Sequence, residues 1–131
     1  MPLHVLQLGP YPPPEGGITR NIIGIRDELQ RRGHLYSIIA TSRSSSKTTD
    51  PTVHHPRTAL GLLYRLVSSD SDILHLHIGG DLTRRVLALA LVCTLVSRKC
   101  VLTLHSGGYP LTAEGRNASA NSLRGSIFRR F

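Results

Sequence analysis

Short apolar segments of strand length recur along the chain and alternate with longer segments whose apolar residues have helical spacing. Strand-like segments lie at residues 3–8 (LHVLQL), 35–41 (LYSIIAT), 72–77 (DILHLH) and 99–105 (KCVLTLH), with a brief edge strand expected at 52–54. Glycine, proline or polar residues bound these segments and end each strand. The pattern predicts five strands, and the nearly continuous apolar character of the longer ones favours burial on both faces of a sheet.

Four further segments have the spacing of helices. The first runs from residue 18 to about residue 32, and Gly33 suits the position just after a helix. Its apolar positions are Ile18, Ile22, Ile25 and Leu29. The second, at 58–68, has its apolar positions at Leu60, Leu63, Leu66 and Val67, with Arg57 and Arg65 on the outer side. The remaining two helices are expected at 82–97 and 122–131.

Strands that alternate with helices long enough to cross over build a parallel sheet covered on both faces. The sequence therefore predicts a single α/β domain over residues 1–131, with a doubly wound, mostly parallel sheet. The segments 42–50 and 107–124 have no periodicity and are expected to be loops. In the last helix Ile127, Phe128 and Phe131 are expected to be exposed, because no further element follows to cover them, and the domain is expected to be incomplete at its carboxyl end.

Composition and charge restrict the class of protein. With 16 Lys and Arg against 8 Asp and Glu, the 131-residue chain has a formal charge of +8, which favours an anionic partner. Anionic lipid or a phosphorylated substrate fits this charge better than nucleic acid, because aromatic residues make up only 5% of the chain and no binding motif is present. The longest apolar run, 86–93, is too short to span a membrane.

The expected location is the cytoplasm, with peripheral contact at the inner face of the membrane. No secretory signal is visible behind Met1. Cys93 and Cys100 are too few and too close to apolar segments for a disulfide framework, so they are expected to be reduced thiols.

Glycines follow the first predicted strand, in the segment PYPPPEGGITRN. Gly16 and Gly17 stand where the first helix begins, so a ligand could approach backbone N–H groups that lack helical partners. The positive end of a helix favours an anion such as a diphosphate. The segment is neither a GxGxxG fingerprint nor a P-loop. A structural tight turn is the alternative interpretation of the two glycines.

Histidines follow the two later strands. His75 and His77 share one face of a strand, and with Asp81 they could bind zinc, but a buried polar pair is the favoured interpretation and no metal site is predicted. After the last strand comes His105, followed by Ser106, Gly107 and Gly108. A histidine there can donate a hydrogen bond or move a proton, because ligands of parallel sheets gather at the carboxyl ends of the strands. A Ser106–His105 nucleophile pair is disfavoured, since strand neighbours point to opposite faces.

Three segments together resemble the amino-terminal domain of glycosyltransferase family 4: LQLGPYPPPEGGITRNIIGIRDELQRRGH, DILHLHIGGDLTRRVLALAL and CVLTLHSGGYP. Members of that family have the GT-B fold, in which two Rossmann-like domains face a cleft, and transfer a sugar with retention from a nucleotide-sugar donor. The resemblance implies a Rossmann-like fold and the acceptor-binding side of the cleft. It also implies that Gly16 and Gly17 contact the donor diphosphate.

The same resemblance implies that His105 is the catalytic residue that lines the cleft near the transferred sugar. His77, with the following glycines Gly79 and Gly80, matches the DxxHxH stretch that borders the acceptor side. Gly107 and Gly108, beside His105, are further substrate-binding candidates, because glycines let bulky ligand groups come close. No cofactor is implied, because the nucleotide sugar is a substrate. The acceptor is a sugar, a lipid or a glycan.

The chain also departs from the family. The carboxyl-terminal domain of family members carries an Arg/Lys pair and an E-x7-E signature that hold the donor, whereas the glutamates here, Glu15, Glu28 and Glu114, have other spacings. The expected protein is therefore the acceptor half of a glycosyltransferase, inactive without its partner domain. The alternative is a non-catalytic α/β module that binds an acidic membrane surface or a partner protein.

Overall fold

The computed structural model describes residues 1–13, 15–42, 48–80, 82–97 and 99–131. The loop predicted at 42–50 lies mostly outside these residues, and Asp81, the candidate third zinc ligand, lies outside them as well. In chain order the elements are β1 (His4–Gly9), α1 (Gly17–Arg31), β2 (Leu35–Ala40), β3 (Val53–His54), α2 (Ala59–Ser68), β4 (Ile73–Ile78), α3 (Arg84–Val96), β5 (Cys100–Leu104), a 3-10 turn (Tyr109–Leu111), α4 (Ala113–Arg116) and α5 (Leu123–Phe128).

The five strands form one parallel sheet in the order β3-β2-β1-β4-β5. β1 is the central strand, with Val5 opposite Tyr36 of β2 and opposite Ile73 of β4. The short strand β3 lies at one edge, as predicted. This order and the helical crossovers confirm the predicted α/β class and a Rossmann-like architecture.

Strand alternation divides the interior into two layers. On one face Leu6, Leu8, Leu74 and Leu76 are buried against the layer formed by α2, α3 and α5. The other face packs against α1. The buried residues of that second layer are Tyr11, Ile22, Ile38, Ala40 and Val53.

Local sequence explains where the helices begin and end. The side chains of Thr58, Thr83 and Ser122 accept hydrogen bonds from backbone N–H groups at the starts of α2, α3 and α5. Gly33 follows α1 with φ +74°, the left-handed conformation that favours glycine, which confirms its predicted position. Gly9 permits a close helix approach, because a Cβ there would stand 2.6 Å from Cδ1 of Ile22.

The carboxyl-terminal segment differs from its prediction. The expected loop contains the 3-10 turn and α4, and α5 is shorter than the expected helix. Ile127 is buried, with 4% of its surface exposed, and Phe128 and Phe131 are half-buried, so the prediction that these three side chains are exposed is wrong. The physical reason is that α5 folds back onto α3, where Ile127 joins the core cluster that contains Cys93.

The helix α2 forms where it is predicted, but most of its apolar side chains do not enter the core. Leu66 is buried. The α2 outer face consists of four exposed apolar side chains, Leu60, Leu63, Tyr64 and Val67. Helical spacing alone therefore located the helix correctly and gave the wrong environment for three of its four apolar positions.

Both cysteines are free, and the Sγ atom of Cys100 donates to the backbone oxygen of Cys93 at 3.3 Å. Burial raises the pKa of the Cys93 thiol to about 12. Across the described ranges, every helix is too short or too polar to cross a bilayer.

Candidate functional site

Three elements meet at the carboxyl edge of the sheet. A Cβ on Gly79, just after β4, would stand 3.6 Å from Cδ1 of Ile18 in α1, and a Cβ on Gly80 would stand 2.8 Å from Oγ of Ser106. The N–H of His105 donates to the oxygen of Ile78 at 2.9 Å. These contacts bring the beginning of α1 and the ends of β4 and β5 to one edge, so the candidate residues from all three segments belong to one region.

In the part of the chain that the structure describes, the backbone N–H groups at the beginning of α1 have no intrahelical acceptor. The first intrahelical bond runs from the N–H of Arg20 to the oxygen of Gly16 at 3.0 Å, so the N–H groups between them have no helical acceptor. Thr19 is buried and ties the turn together, because its Oγ1 accepts from the N–H of Gly16 at 2.6 Å and donates to its oxygen at 2.7 Å. These N–H groups make the end of α1 suited to an anion.

Gly16 and Gly17 are not required by the backbone. Gly16 is extended, with φ −162° and ψ 178°, and neither glycine has positive φ. A Cβ on Gly17 would meet no atom within 4 Å, and one on Gly16 would meet only Oγ1 of Thr19 at 3.8 Å. Neither the backbone conformation nor close packing requires glycine at these two positions, which weighs against the tight-turn interpretation. The open space beside the end of the helix leaves room for a ligand.

A hydrogen-bonded pair of histidines joins β4 to the end of β5. The ring nitrogens Nδ1 of His77 and Nε2 of His105 are 3.1 Å apart. On its other side, Nε2 of His77 lies 3.2 Å from Oε1 of Gln7, whose Nε2 donates to the oxygen of Ile22 at 3.2 Å. His77 and Gln7 are buried, with 3% and 0% of their surfaces exposed, whereas His105 is half-buried at the site.

His75 lies beside this pair on the same face, as predicted. Its ring centroid is 4.0 Å from that of His77, and its Nε2 is 2.8 Å from Oγ1 of Thr103 in β5. Burial, with the neighbouring rings of His75 and His105 as a further cause, lowers the pKa of His77 to about 3. Burial also lowers the pKa of His75. Both histidines are therefore neutral near pH 7.

The described residues contain no group of three or more His, Cys, Asp or Glu side chains arranged to hold a metal ion. His75 and His77 have protein partners instead, in Thr103, Gln7 and His105. Each of these two histidines is therefore hydrogen-bonded to other side chains of the sheet, whereas the zinc interpretation also needs Asp81, which lies outside the described residues.

Gly107 and Gly108 form a turn between His105 and the 3-10 turn. A Cβ on either glycine would meet no atom within 4 Å, so the backbone there is open to a ligand. A cavity of about 460 Å³ lies beside this turn and the beginning of α3. Its walls include Gly80, Thr83, Arg84, Tyr109 and Arg124.

Sequence reasoning missed Gln7, Thr103 and Gly9. Gln7 had a detectable signal, because it is the one uncharged polar residue that interrupts the apolar run at the end of β1. Thr103 and Gly9 had no comparable signal. The role of Thr103 depends on its register opposite His77, and that of Gly9 depends on how closely α1 packs.

Comparisons of this chain with protein-family models, with curated proteins and with solved structures found no match. The class of protein is therefore defined by the chain's own fold, which is an α/β domain with Rossmann-like strand order.

Proposed function

We propose that this chain is the acceptor-binding half of a retaining glycosyltransferase that uses a nucleotide-sugar donor. The observation that carries the proposal is the convergence, at one edge of a parallel sheet, of an open helix end at Gly16 and Gly17 with a hydrogen-bonded histidine pair, His77 and His105. Ligands of such sheets bind at this edge. The resemblance to glycosyltransferase family 4 supplies the substrate class.

The donor diphosphate belongs at the beginning of α1. The unpaired N–H groups after Gly16 can donate to phosphate oxygens, and the helix dipole adds a favourable potential for negative charge. Because Gly16 and Gly17 are glycines and have no side chains, a bulky diphosphate can reach these donors. In the transfer, the bond from the anomeric carbon to the diphosphate oxygen breaks, so stabilising the charge on that oxygen lowers the barrier.

The sugar and the acceptor belong beside His105. His105 lies at the end of β5, next to the open backbone of Gly107 and Gly108. The cavity lined by Arg84 and Tyr109 also reaches Gly80, which lies against Ser106, the residue after His105. A ring nitrogen of His105 can exchange a hydrogen bond with a sugar hydroxyl. The cavity offers space for the acceptor, which is a sugar, a lipid or a glycan.

A second domain completes the cleft in this proposal. The glutamates Glu15, Glu28 and Glu114 do not have the E-x7-E spacing, so another domain supplies the residues that hold the donor's nucleoside and neutralise the leaving diphosphate. The chain by itself is then expected to bind nucleotide sugars weakly and to be inactive.

The binding part of the proposal is tested on the chain itself. A ¹⁵N-labelled sample is titrated with UDP-glucose, GDP-mannose and ADP-glucose at millimolar concentrations, and amide chemical shifts are followed. The expected result is a shift of the amides at Gly16 and Gly17 with at least one donor. Gly17→Val should abolish the shift, whereas Gly24→Val, at an equally open position of the same helix, should retain it. Shifts confined to other surfaces would contradict the proposal.

The catalytic part is tested by joining the chain to the carboxyl-terminal domain of a family 4 glycosyltransferase and measuring sugar transfer or donor hydrolysis. His105→Ala should remove about 2 to 4 kcal/mol of transition-state stabilisation. Its cost in folding stability should be about 1 to 3 kcal/mol, because Nδ1 of the buried His77 loses its donor, so transfer is compared as the rate per folded molecule. A variant with a much lower Tm but a normal rate per folded molecule would identify His105 as structural instead. Turnover on the order of 1 per second by the chain alone would contradict the half-site proposal.

A second candidate function, a non-catalytic module for anionic membranes, is favoured by the α2 outer face. Its exposed apolar side chains lie on the same helix as Arg65, which is also exposed, and close to the exposed Arg57. Apolar side chains that enter the interface and arginines that contact anionic headgroups are the two features of a peripheral membrane helix.

Vesicle sedimentation separates this candidate from the first. A membrane module should bind phosphatidylglycerol vesicles and not phosphatidylcholine vesicles, and Leu60→Ser with Val67→Ser should weaken binding. Leu111→Ser, at an exposed apolar position far along the chain, is the control. Equal sedimentation with both kinds of vesicle, or no effect of the paired substitution, would eliminate it.

A further inference from the structure

A continuous chain of hydrogen bonds runs from the backbone of α1 through β1 and β4 to His105. Its members are the Ile22 oxygen, the Gln7 amide, the His77 ring and the His105 ring, with separations of 3.2, 3.2 and 3.1 Å. The inner members are buried and the last member lies at the candidate site. The chain therefore links the packed interior to the residue proposed to contact the sugar.

The direction of each bond follows from the donors and acceptors available. The oxygen of Ile22 can only accept, so the amide nitrogen of Gln7 faces it and the amide oxygen of Gln7 faces His77. That oxygen also can only accept, so Nε2 of His77 carries a proton. A neutral His77 then has no proton on Nδ1, and Nε2 of His105 must donate to it.

The reverse direction requires changes that the surroundings oppose. If Nδ1 of His77 donated to His105 in a neutral ring, its Nε2 would face the Gln7 oxygen without a proton, and turning the amide would set that oxygen against the oxygen of Ile22. A doubly protonated His77 could donate on both sides. Burial and the adjacent rings of His75 and His105 oppose that charge, since they lower the pKa of His77 to about 3.

We propose that Gln7 and His77 are positioning residues that hold His105 with its proton on Nε2 and present Nδ1 as a hydrogen-bond acceptor for a sugar hydroxyl, an inference that rests on the proposed function. Among the described residues, none forms a hydrogen bond with Nδ1 of His105. A free histidine in water exchanges between two neutral forms, whereas the buried chain selects one of them.

This assignment means that two groups of the substrate, the sugar hydroxyl and the diphosphate, are recognised at two different parts of the site. A neutral nitrogen that accepts a hydrogen bond suits a hydroxyl, which can donate, and does not suit the oxygens of a diphosphate, which only accept. The group recognised at Nδ1 of His105 is therefore an uncharged sugar hydroxyl. The negative charge of the donor belongs at the beginning of α1, where N–H groups donate.

The hydrogen-bond chain is tested by NMR on the unmodified chain, with ¹⁵N-labelled histidine, near pH 7. The expected signature is a through-hydrogen-bond ¹⁵N–¹⁵N coupling between Nδ1 of His77 and Nε2 of His105, with the shared proton attached to His105. Thr103→Val, which removes the neighbouring bond to His75, should leave the coupling intact. A proton attached to His77 Nδ1, no coupling, or exchange of His105 between its neutral forms would overturn the proposal.

The ligand is tested on the same sample with a panel of methyl α-glycosides and with inorganic phosphate at constant pH. A glycoside should shift the Nδ1 resonance of His105, and phosphate should not. A response to phosphate alone would overturn the hydroxyl assignment. An intact coupling with no response to any glycoside would overturn the hydroxyl assignment and leave the selected form of His105 standing, whereas the proposed function is tested separately by the donor titration at Gly16 and Gly17.

The positioning role is tested in the two-domain enzyme described above. His77→Phe removes the acceptor for His105 and should lower kcat by about tenfold or more with a small change in KM. His77→Asn retains an oxygen close to the position of Nδ1 and should restore most of kcat together with the protonated Nε2 of His105. Equal losses in both variants, each folded, would show that His77 has only a packing role.

Discussion

Mild acid should destabilise this protein through His77. The buried ring stays neutral in the folded state because its pKa is lowered to about 3, whereas in the unfolded chain a histidine has a pKa of about 6.5. Between these values the unfolded state binds a proton that the folded state does not bind. The contribution of His77 to stability is therefore complete above pH 6.5 and is lost progressively as the pH falls toward 3.

The magnitude follows from the two pKa values. At pH 5, which is about 1.5 units below the unfolded pKa, the loss of unfolding free energy from this one residue is about 2 kcal/mol. That is a substantial part of the 5–15 kcal/mol typical of folded domains. The pKa of His75 and that of His54 are also lowered, chiefly by burial, so the complete chain should lose more than the contribution of His77 alone.

The assay is urea unfolding at pH 7.5, 6.0 and 5.0, followed by circular dichroism, for the unmodified chain and for His77→Asn. Below pH 6 the free energy of unfolding should fall less steeply for the variant than for the unmodified chain, because the variant binds one proton fewer on unfolding. The two slopes should differ by up to about 1.4 kcal/mol per pH unit. The comparison removes the contributions of His75, His54 and the carboxylates, which both proteins share. Equal slopes in the two proteins would refute the reasoning.

Three other substitutions or reactions test the packing. Gly9→Ala places a methyl group 2.6 Å from Cδ1 of Ile22 and should cost about 1 to 3 kcal/mol in urea unfolding, and a neutral result would contradict the close approach of α1. Ile127→Ala should cost about 2 to 5 kcal/mol because the side chain is buried against α3, and a cost near zero would mean that α5 does not pack there. The Cys93 thiol, whose pKa burial raises to about 12, should react with iodoacetamide far more slowly than Cys100, as measured by mass spectrometry, and equal rates would contradict its burial.

The fold was largely predictable because its signals are local. The apolar run that contains β4 and the helical spacing that marks α1 each lie within one element. The position of Gly33 after α1 depends only on the left-handed backbone conformation that glycine adopts there. The carboxyl-terminal segment was predicted poorly for the opposite reason. A six-residue helix such as α5 has too few positions to establish a period, and the burial of Ile127 depends on a partner helix some 30 residues earlier in the chain.

The candidate site was predictable in position and not in connectivity. The carboxyl ends of parallel strands meet at one edge, so His77, His105 and the glycines of α1 were expected to lie in the same region. That His77 bonds both Gln7 and His105 depends on side-chain register across three strands, which no local pattern encodes. The roles of these residues in sugar transfer stay predictions.

The central place of β1 has a consequence for synthesis of the protein. β1 is synthesised well before β4, one of its two sheet neighbours, which begins only at Ile73. At about 5–20 residues per second, one edge of β1 waits roughly 3–13 s for its partner during translation. Throughout this interval an apolar strand has an open hydrogen-bonding edge that can pair with other nascent chains, so a chaperone that covers β1 and β2 until β4 is synthesised should raise the yield of folded protein.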